Sequence, residues 1–172
     1  MHPSEAIYCQ KSEKLEGKTI VIGVTGSIAA TECIKLIREL IRHGAKVIPV
    51  MSEWGQKIIH PYSLEFASGQ KPITQIDGSV QYVDICGESG HADLMLIAPS
   101  TANTIAKIAH GITDTPVTIF AVTCLGSKRP IMIVPAMHIS LYDQPIIDEN
   151  IRKLKNLGIE FVQPRLQESK AK

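Results

Sequence analysis

The stretch from Thr19 to Thr25, TIVIGVT, is apolar and β-branched, and it runs straight into Gly26-Ser27 and a helical pattern. Such a run suits a buried strand, and its join to a helix through a tight turn opens a βαβ unit. In the helical pattern Ile28, Ala29, Cys33, Leu36, Ile37, Leu40 and Ile41 recur at three- and four-residue spacing, and Gly44 supplies a C-terminal stop. Lys35, Arg38, Glu39 and Arg42 make its polar face. Lys46 to Met51 reads as the second strand, with Ser52 as the N-cap of a short helix that stops before Pro61.

The alternation then repeats. Asp93 to Ala98 is an apolar strand ended by Pro99, and Ser100 to His110 is a helix opened by Ser100 or Thr101. Thr118 to Leu125 is either a buried helix or a strand, because short apolar runs do not separate the two. Ile131 to Val134 is a strand closed by Pro135, Ile146 to Leu157 an amphipathic helix ending at Gly158, and Glu160 to Val162 a last short strand. Residues 61–90, interrupted by Gly69, Pro72, Gly78, Gly87 and Gly90, read mostly as loop with one short helix from Ser63 to Ala67. The expected fold is a single α/β domain over residues 19–165, a doubly wound, mostly parallel sheet with helices on both faces in the Rossmann-like manner. Residues 1–18 are polar and form an N-terminal arm or edge helix, and residues 166–172 form a C-terminal tail.

Composition narrows the functional classes. A chain of 172 residues that is 44% hydrophobic can bury a real core, and with 5% aromatics that core is built from Ile, Val, Leu and Ala. The net charge of +1 comes without a basic run, which argues against nucleic acid. No apolar run approaches the ~20 residues that span a bilayer, and the opening MHPSEAIYCQKSEKLEGK is too polar for a signal peptide, so a cytoplasmic protein is expected. Cys9, Cys33, Cys86 and Cys124 form no C-x-x-C pair, which leaves neither a metal site nor a disulfide framework.

In an open parallel sheet ligands sit at the carboxyl ends of the strands. The first such end is GVTGSIAA, where Gly26 permits a sharp turn and the amides of Ser27 and Ile28 point outward at a helix start that favours an anion. The spacing is neither G-x-G-x-x-G nor the Walker pattern, so a dinucleotide is disfavoured and a turn without a ligand stays open. Ser52 at the second end caps its helix or donates to the same phosphate. Ser100, Thr101 and Asn103 at the third place two hydroxyls and a carboxamide in a first helical turn, for capping or for a polar ligand. At the fourth, Ala136 and Met137 suit a flat aromatic ring, and His138 is a proton donor or a ligand-orienting group.

Taken together, GVTGSIAA, the Ser52 strand end, APSTANTIAKIAHGITDTP from Ala98 to Pro116 and IVPAMHISLYDQP from Ile133 to Pro145 resemble the flavin-containing phosphopantothenoylcysteine decarboxylases. The match runs in order over roughly residues 18 to 165. From Leu125 to Lys172 the chain is similar to the decarboxylase half of archaeal bifunctional coenzyme A biosynthesis proteins, in which a ligase domain follows. The resemblance implies FMN-dependent decarboxylation of 4'-phosphopantothenoylcysteine, a small-molecule substrate, to 4'-phosphopantetheine. It implies Gly26, Ser27, Ile28 and Ser52 at the FMN phosphate, Ser100, Thr101 and Asn103 along phosphate and ribityl chain, and Ala136 and Met137 at the isoalloxazine ring. A homotrimer or a dodecamer of trimers, with the flavin at a subunit boundary, is implied as well.

Three positions depart from the family pattern. Tyr82 stands where a histidine opens the H-x-D/E-L segment, His138 replaces the asparagine of PAMN, and Leu141 replaces a methionine. The cysteine-bearing substrate clamp of bacterial members is also missing, and residues 167–172 are where an archaeal equivalent would begin. An insertion placed between Ile85 and Asp93 allows His91, instead of Tyr82, to approach the flavin. The implied catalytic set is therefore His138, Tyr82 and His91. The alternative is a redox flavoprotein on the same scaffold, an electron carrier or pterin-type reductase with decarboxylation weak or lost.

Overall fold

The computed structural model describes residues 2–163. Its sheet has five parallel strands in the order β2-β1-β3-β4-β5. They are β1 (Thr19–Val24), β2 (Lys46–Met51), β3 (Leu94–Ser100), β4 (Ile131–Pro135) and β5 (Glu160–Phe161). The helices are α1 (Cys33–Arg42), α2 (Glu53–Ile58), α3 (Pro61–Ser68), α4 (Gln81–Cys86), α5 (Ala102–Ala109), α6 (Pro116–Gly126), α7 (Ile139–Tyr142) and α8 (Pro145–Asn156).

Every residue of β1 is buried, because the strand has neighbours on both edges and helices on both faces. Period-2 alternation sorts its side chains. Ile20, Ile22 and Val24 enter one core with Ile37 of α1 and Leu64 of α3, while Val21 enters the other with Ile105 of α5, Phe120 of α6 and Leu154 of α8. Between them Gly23 lets α6 lie close against the sheet, since a Cβ there would come within 2.9 Å of Val117 Cγ1 and 3.0 Å of Met95 Cε.

Capping sets where the helices begin. Ser52 Oγ accepts from Gly55 N at 3.0 Å and Thr101 Oγ1 from Thr104 N at 3.3 Å, so α2 and α5 start at the carboxyl ends of their strands. Thr115 and Thr118 cap α6 reciprocally, and Pro116 at its first turn, in a run too buried to show periodicity, makes the ambiguous apolar segment a helix.

Several expectations are corrected. The helix after β1 opens as a 3-10 turn, Ile28–Glu32, and Ile28 is 76% exposed instead of facing the core. Residues 61–90 are not mostly loop: α3 runs from Pro61 with His60 as its cap and packs Leu64 and Ala67 beneath α1, and α4 follows Val80. The glycines and prolines that suggested loop lie between these helices and at their ends, and α4 is too short to show a period. Strand β3 continues through Pro99 to Ser100, with a register shift between Ile97 and Ser100.

The first segment packs on the C-terminal end of α1. Cys9 N donates to Ile41 O at 3.2 Å, Lys11 N to Arg42 O at 2.9 Å and Leu15 N to His43 O at 2.8 Å, and Ile7 is buried. The expected tail and clamp start at residues 166–172 lie outside the described residues. Among the described residues no helix is long and apolar enough to cross a membrane, and no cluster of metal-binding side chains occurs.

Candidate functional site

Strand order places the site. The crossover from β1 goes to β2 on one side, and that from β2 returns past β1 to β3, so the crevice between the carboxyl ends of β1 and β3 is the topological switch point. Side chains and backbone stitch these ends together. Ser52 N donates to Val24 O at 3.0 Å, joining β2 to β1. The hydroxyl of Thr25 donates to Pro99 O at 2.7 Å and accepts from Thr101 N at 3.1 Å, joining β1 to β3. Ala136 N donates to Ser100 O at 2.9 Å, joining β3 to β4.

Above this row lies a cavity of about 470 Å³ that brings together Gly26, Ser52, Thr101 and Asn103, four of the positions singled out from sequence. Glu53, Trp54, Thr104, Lys107, Asp114, Thr115 and Thr118 complete its lining and were missed. Helical periodicity offered one signal: Lys107 lies four residues beyond Asn103, on the same face of α5. Asp114 and Thr115 follow a turn, and nothing local ties them to Lys107. The first turns of α2, α5 and α6 all line the cavity, so their free amides and positive dipole ends favour an anion there.

The details at Gly26 and Ser27 differ from expectation. Gly26 does not adopt a positive φ. A Cβ on Gly26 would stand 2.5 Å from Trp54 Cβ, so glycine is required by the close approach of α2. The amide of Ser27 does not point outward but donates to Thr25 O at 2.9 Å, and its hydroxyl accepts from Ala29 N at 3.4 Å. Among the described residues the Ile28 amide has no backbone acceptor and remains free.

Ser100 is fully buried, yet its hydroxyl finds no hydrogen-bond partner among the described residues. A buried orphan donor costs about 1–3 kcal/mol, and Ser100 carries that cost next to Thr101 of the cavity lining without lining the cavity itself. Beneath the row, burial pushes the Cys33 thiol up to about 12, so it stays protonated and donates to Ala98 O at 3.1 Å.

The remaining positions lie apart from the cavity lining. Ala136 and Met137 follow β4 and are half-buried, with Met137 packed against the core that holds Ile105, Phe120 and Leu154. His138 is exposed and caps α7: its Nδ1 accepts from Ser140 N at 3.3 Å and lies 2.7 Å from the Ser140 hydroxyl, which leaves Nε2 free. Tyr82 packs edge-on against Phe120, ring centroids 6.5 Å apart, as part of the α4–α6 contact. His91 is exposed at the opposite end of the sheet, two residues before Asp93, whose amide donates to Thr19 O at the start of β1. The length of β3, roughly 20 Å, separates it from the cavity.

The family called Flavoprotein matches residues 9–172. The chain belongs to the flavoprotein family. It is 57% identical to the coenzyme A biosynthesis bifunctional protein CoaBC of Thermococcus kodakarensis, an alignment covering all of this chain and 43% of that protein. Identity to the same-named protein of Methanocaldococcus jannaschii is 42%, over all of this chain and 41% of that one. The chain thus spans less than half the length of these relatives. Among solved structures it superposes on the FMN-dependent cysteine decarboxylase SpaF with a TM-score of 0.78, at 26% identity over 88% of this chain and 86% of the other. The epidermin biosynthesis protein EpiD from Staphylococcus aureus gives 0.78 at 27% identity over 88% and 86%. A flavin is the cofactor class of this family, and the cavity lining fits one: free helix-start amides for a phosphate and Trp54 as flat apolar surface, with the orphan Ser100 hydroxyl one residue before Thr101 of the lining.

Proposed function

We propose that this chain binds FMN at the switch-point cavity and decarboxylates 4'-phosphopantothenoylcysteine to 4'-phosphopantetheine in coenzyme A biosynthesis. The observation that carries the reading is the cavity itself, where three helix starts meet, one of them at Thr101, the residue after the buried and unpaired Ser100. In the proposal residues 19–165 are the flavin-binding domain. Gly26, the Ser27 hydroxyl, the Ile28 amide and Ser52 surround the phosphate, with Ser100, Thr101 and Asn103 along the ribityl chain and Ala136 and Met137 against the ring. A single terminal phosphate suits this edge, which lacks the glycine pattern that receives a dinucleotide.

When bound, the flavin would supply reversible two-electron chemistry at the cysteine moiety, which eases loss of the neighbouring carboxylate. The chain's own groups orient and handle protons. His138 presents Nε2, the nitrogen its cap leaves free. Tyr82 offers a hydroxyl, and its ring is engaged with Phe120. That engagement favours a second reading, a redox flavoprotein with weak decarboxylation, over which rapid reduction by ferredoxin or NAD(P)H would decide.

Trp54 of the cavity lining is 64% exposed, and Ile28, Ile139, Leu141 and Ile146 are exposed as well. A homotrimer, or a dodecamer of trimers, would cover such surfaces and complete a flavin site at a subunit boundary. Light scattering reads that state directly. The test of the function is chromatography of the ligand released on denaturation, followed by incubation with phosphopantothenoylcysteine and mass spectrometry for lost carbon dioxide. A protein that takes up no FMN refutes the proposal; FMN without turnover leaves the redox reading.

A further inference from the structure

Lys107 is the one cation lining the cavity among the described residues, and it is held by an anion that also lines it. Its ammonium lies 2.7 Å from Asp114 Oδ2, and the lysine side chain is 22% exposed. Helical side chains lean toward the N-terminus, so a lysine on the second turn of α5 is carried up toward the first turn, where Thr101 and Asn103 face the same space. An ammonium has three N–H donors, and among the described residues Asp114 accepts from one, which leaves two for a ligand.

Charge balance gives the pair a role. Glu53 and Asp114 are both in the lining, so the side chains alone present one positive charge against two negative. Glu53 is largely exposed and paired with Lys57 at 3.2 Å, which leaves the Lys107–Asp114 pair as the charge element inside the cavity. A phosphate dianion entering there is favoured by the helix starts and opposed by Asp114. Lys107 offsets that opposition only by turning part of its charge from Asp114 to the ligand.

Resting on the flavin reading above, we infer that Lys107 is the residue that makes the site prefer a phosphorylated flavin over riboflavin, and that Asp114 tempers this preference by competing for the same ammonium. The pair is a selectivity device for the terminal phosphate. It contributes little to holding the ring.

Binding of FMN and of riboflavin, followed by quenching of flavin fluorescence, tests this without any turnover. Lys107→Met should raise the Kd for FMN roughly ten- to a hundred-fold, the effect of one charge-assisted contact, and change that for riboflavin by less than about two-fold. Lys107→Arg should keep most of the preference. Asp114→Asn should tighten FMN several-fold and leave riboflavin alone, and added salt should weaken FMN more in the unmodified protein than in Lys107→Met. Equal loss of both ligands in Lys107→Met would assign the pair to tying α5 to the α6 start, and would overturn the inference. So would an Asp114→Asn protein whose FMN affinity is unchanged or lower, a result that stands even if Lys107→Met fails to fold. An unmodified protein that binds neither flavin refutes the flavin reading itself, whereas one that binds both equally well refutes only the selectivity.

Discussion

At the amino end of the sheet one guanidinium closes a whole loop, whereas at the carboxyl end polar groups are left open. Arg129 donates to the carbonyls of Cys86, Gly87 and Ala92 at 3.0, 2.9 and 2.5 Å, and also to Glu88 and Gly90. Beside it the Asp93 carboxylate accepts from Thr19 N at 2.8 Å and pairs with Lys18 at 3.1 Å. Across the sheet the Ser100 hydroxyl is unpaired, and the Ile28 amide has no backbone acceptor among the described residues. The same strands thus end in full pairing on one side and in spare donors on the other. Unmet hydrogen-bonding capacity costs stability, and a ligand that meets it recovers that cost.

The largest effect on stability should come from the amino end. Arg129→Met strands several carbonyls at once and should cost about 3 kcal/mol, lowering Tm by roughly 6–12 °C, while flavin affinity of the folded protein changes less than about two-fold. Melts paired with flavin titrations read both. A collapse of affinity alongside Tm would mean that the two ends are not separable.

Next in size is Gly26→Ala, which forces a methyl into the space of Trp54. Overpacking of this kind costs about 1–3 kcal/mol, and moving α2 away from β1 should weaken flavin binding roughly ten-fold or more. Unchanged affinity would place the ligand away from this turn.

Ser100→Ala sharpens the contrast by inverting it. Because the hydroxyl has no partner, its loss should leave the ligand-free protein as stable as before or up to ~1 kcal/mol more so, while flavin affinity falls several-fold. A clear drop in the ligand-free Tm would show that the hydroxyl is bonded within the protein after all.

The smallest effect concerns pH. The Thr19 amide, helped by Lys18, holds Asp93 below its ordinary value of 3.8. A carboxylate with a lowered folded pKa stabilises above the unfolded value, and that contribution disappears as pH falls through the folded one. Asp93→Asn should therefore flatten the acid limb below about pH 4 by a modest amount, since the pair is partly exposed, and should leave neutral-pH flavin binding unchanged. A shift of flavin affinity with this substitution would again join the two ends.

Much of the carboxyl end was legible because its residues sit in their own strand-to-helix joins. Ser52 and Thr101 are caps, and a cap is a local pattern of a hydroxyl before an apolar period. Gly26 was found for a turn and is needed for Trp54, because the distance that demands glycine is set by a residue from another βα join. Lys107 and Asp114 escaped notice, and so did Arg129, whose partners lie 37 to 43 residues away. Tyr82 and His91 are close in the chain yet lie on different parts of the fold, one against α6 and the other at the sheet's far end.

By itself the sequence determined the alternation of strands and helices, the parallel class and the strand ends at which a ligand could sit. These follow from periods of 2 and 3.6 and from capping, which each segment carries locally. The tertiary structure alone decided that β1 lies between β2 and β3, and with that the position of the switch point. It also decided which hydroxyl stays unpaired, which cation faces the cavity and which aromatic ring is held in the core. Those outcomes depend on register and close approach between segments such as Thr25 and Pro99, 74 residues apart. No local period encodes such a contact, because it exists only once the sheet has assembled.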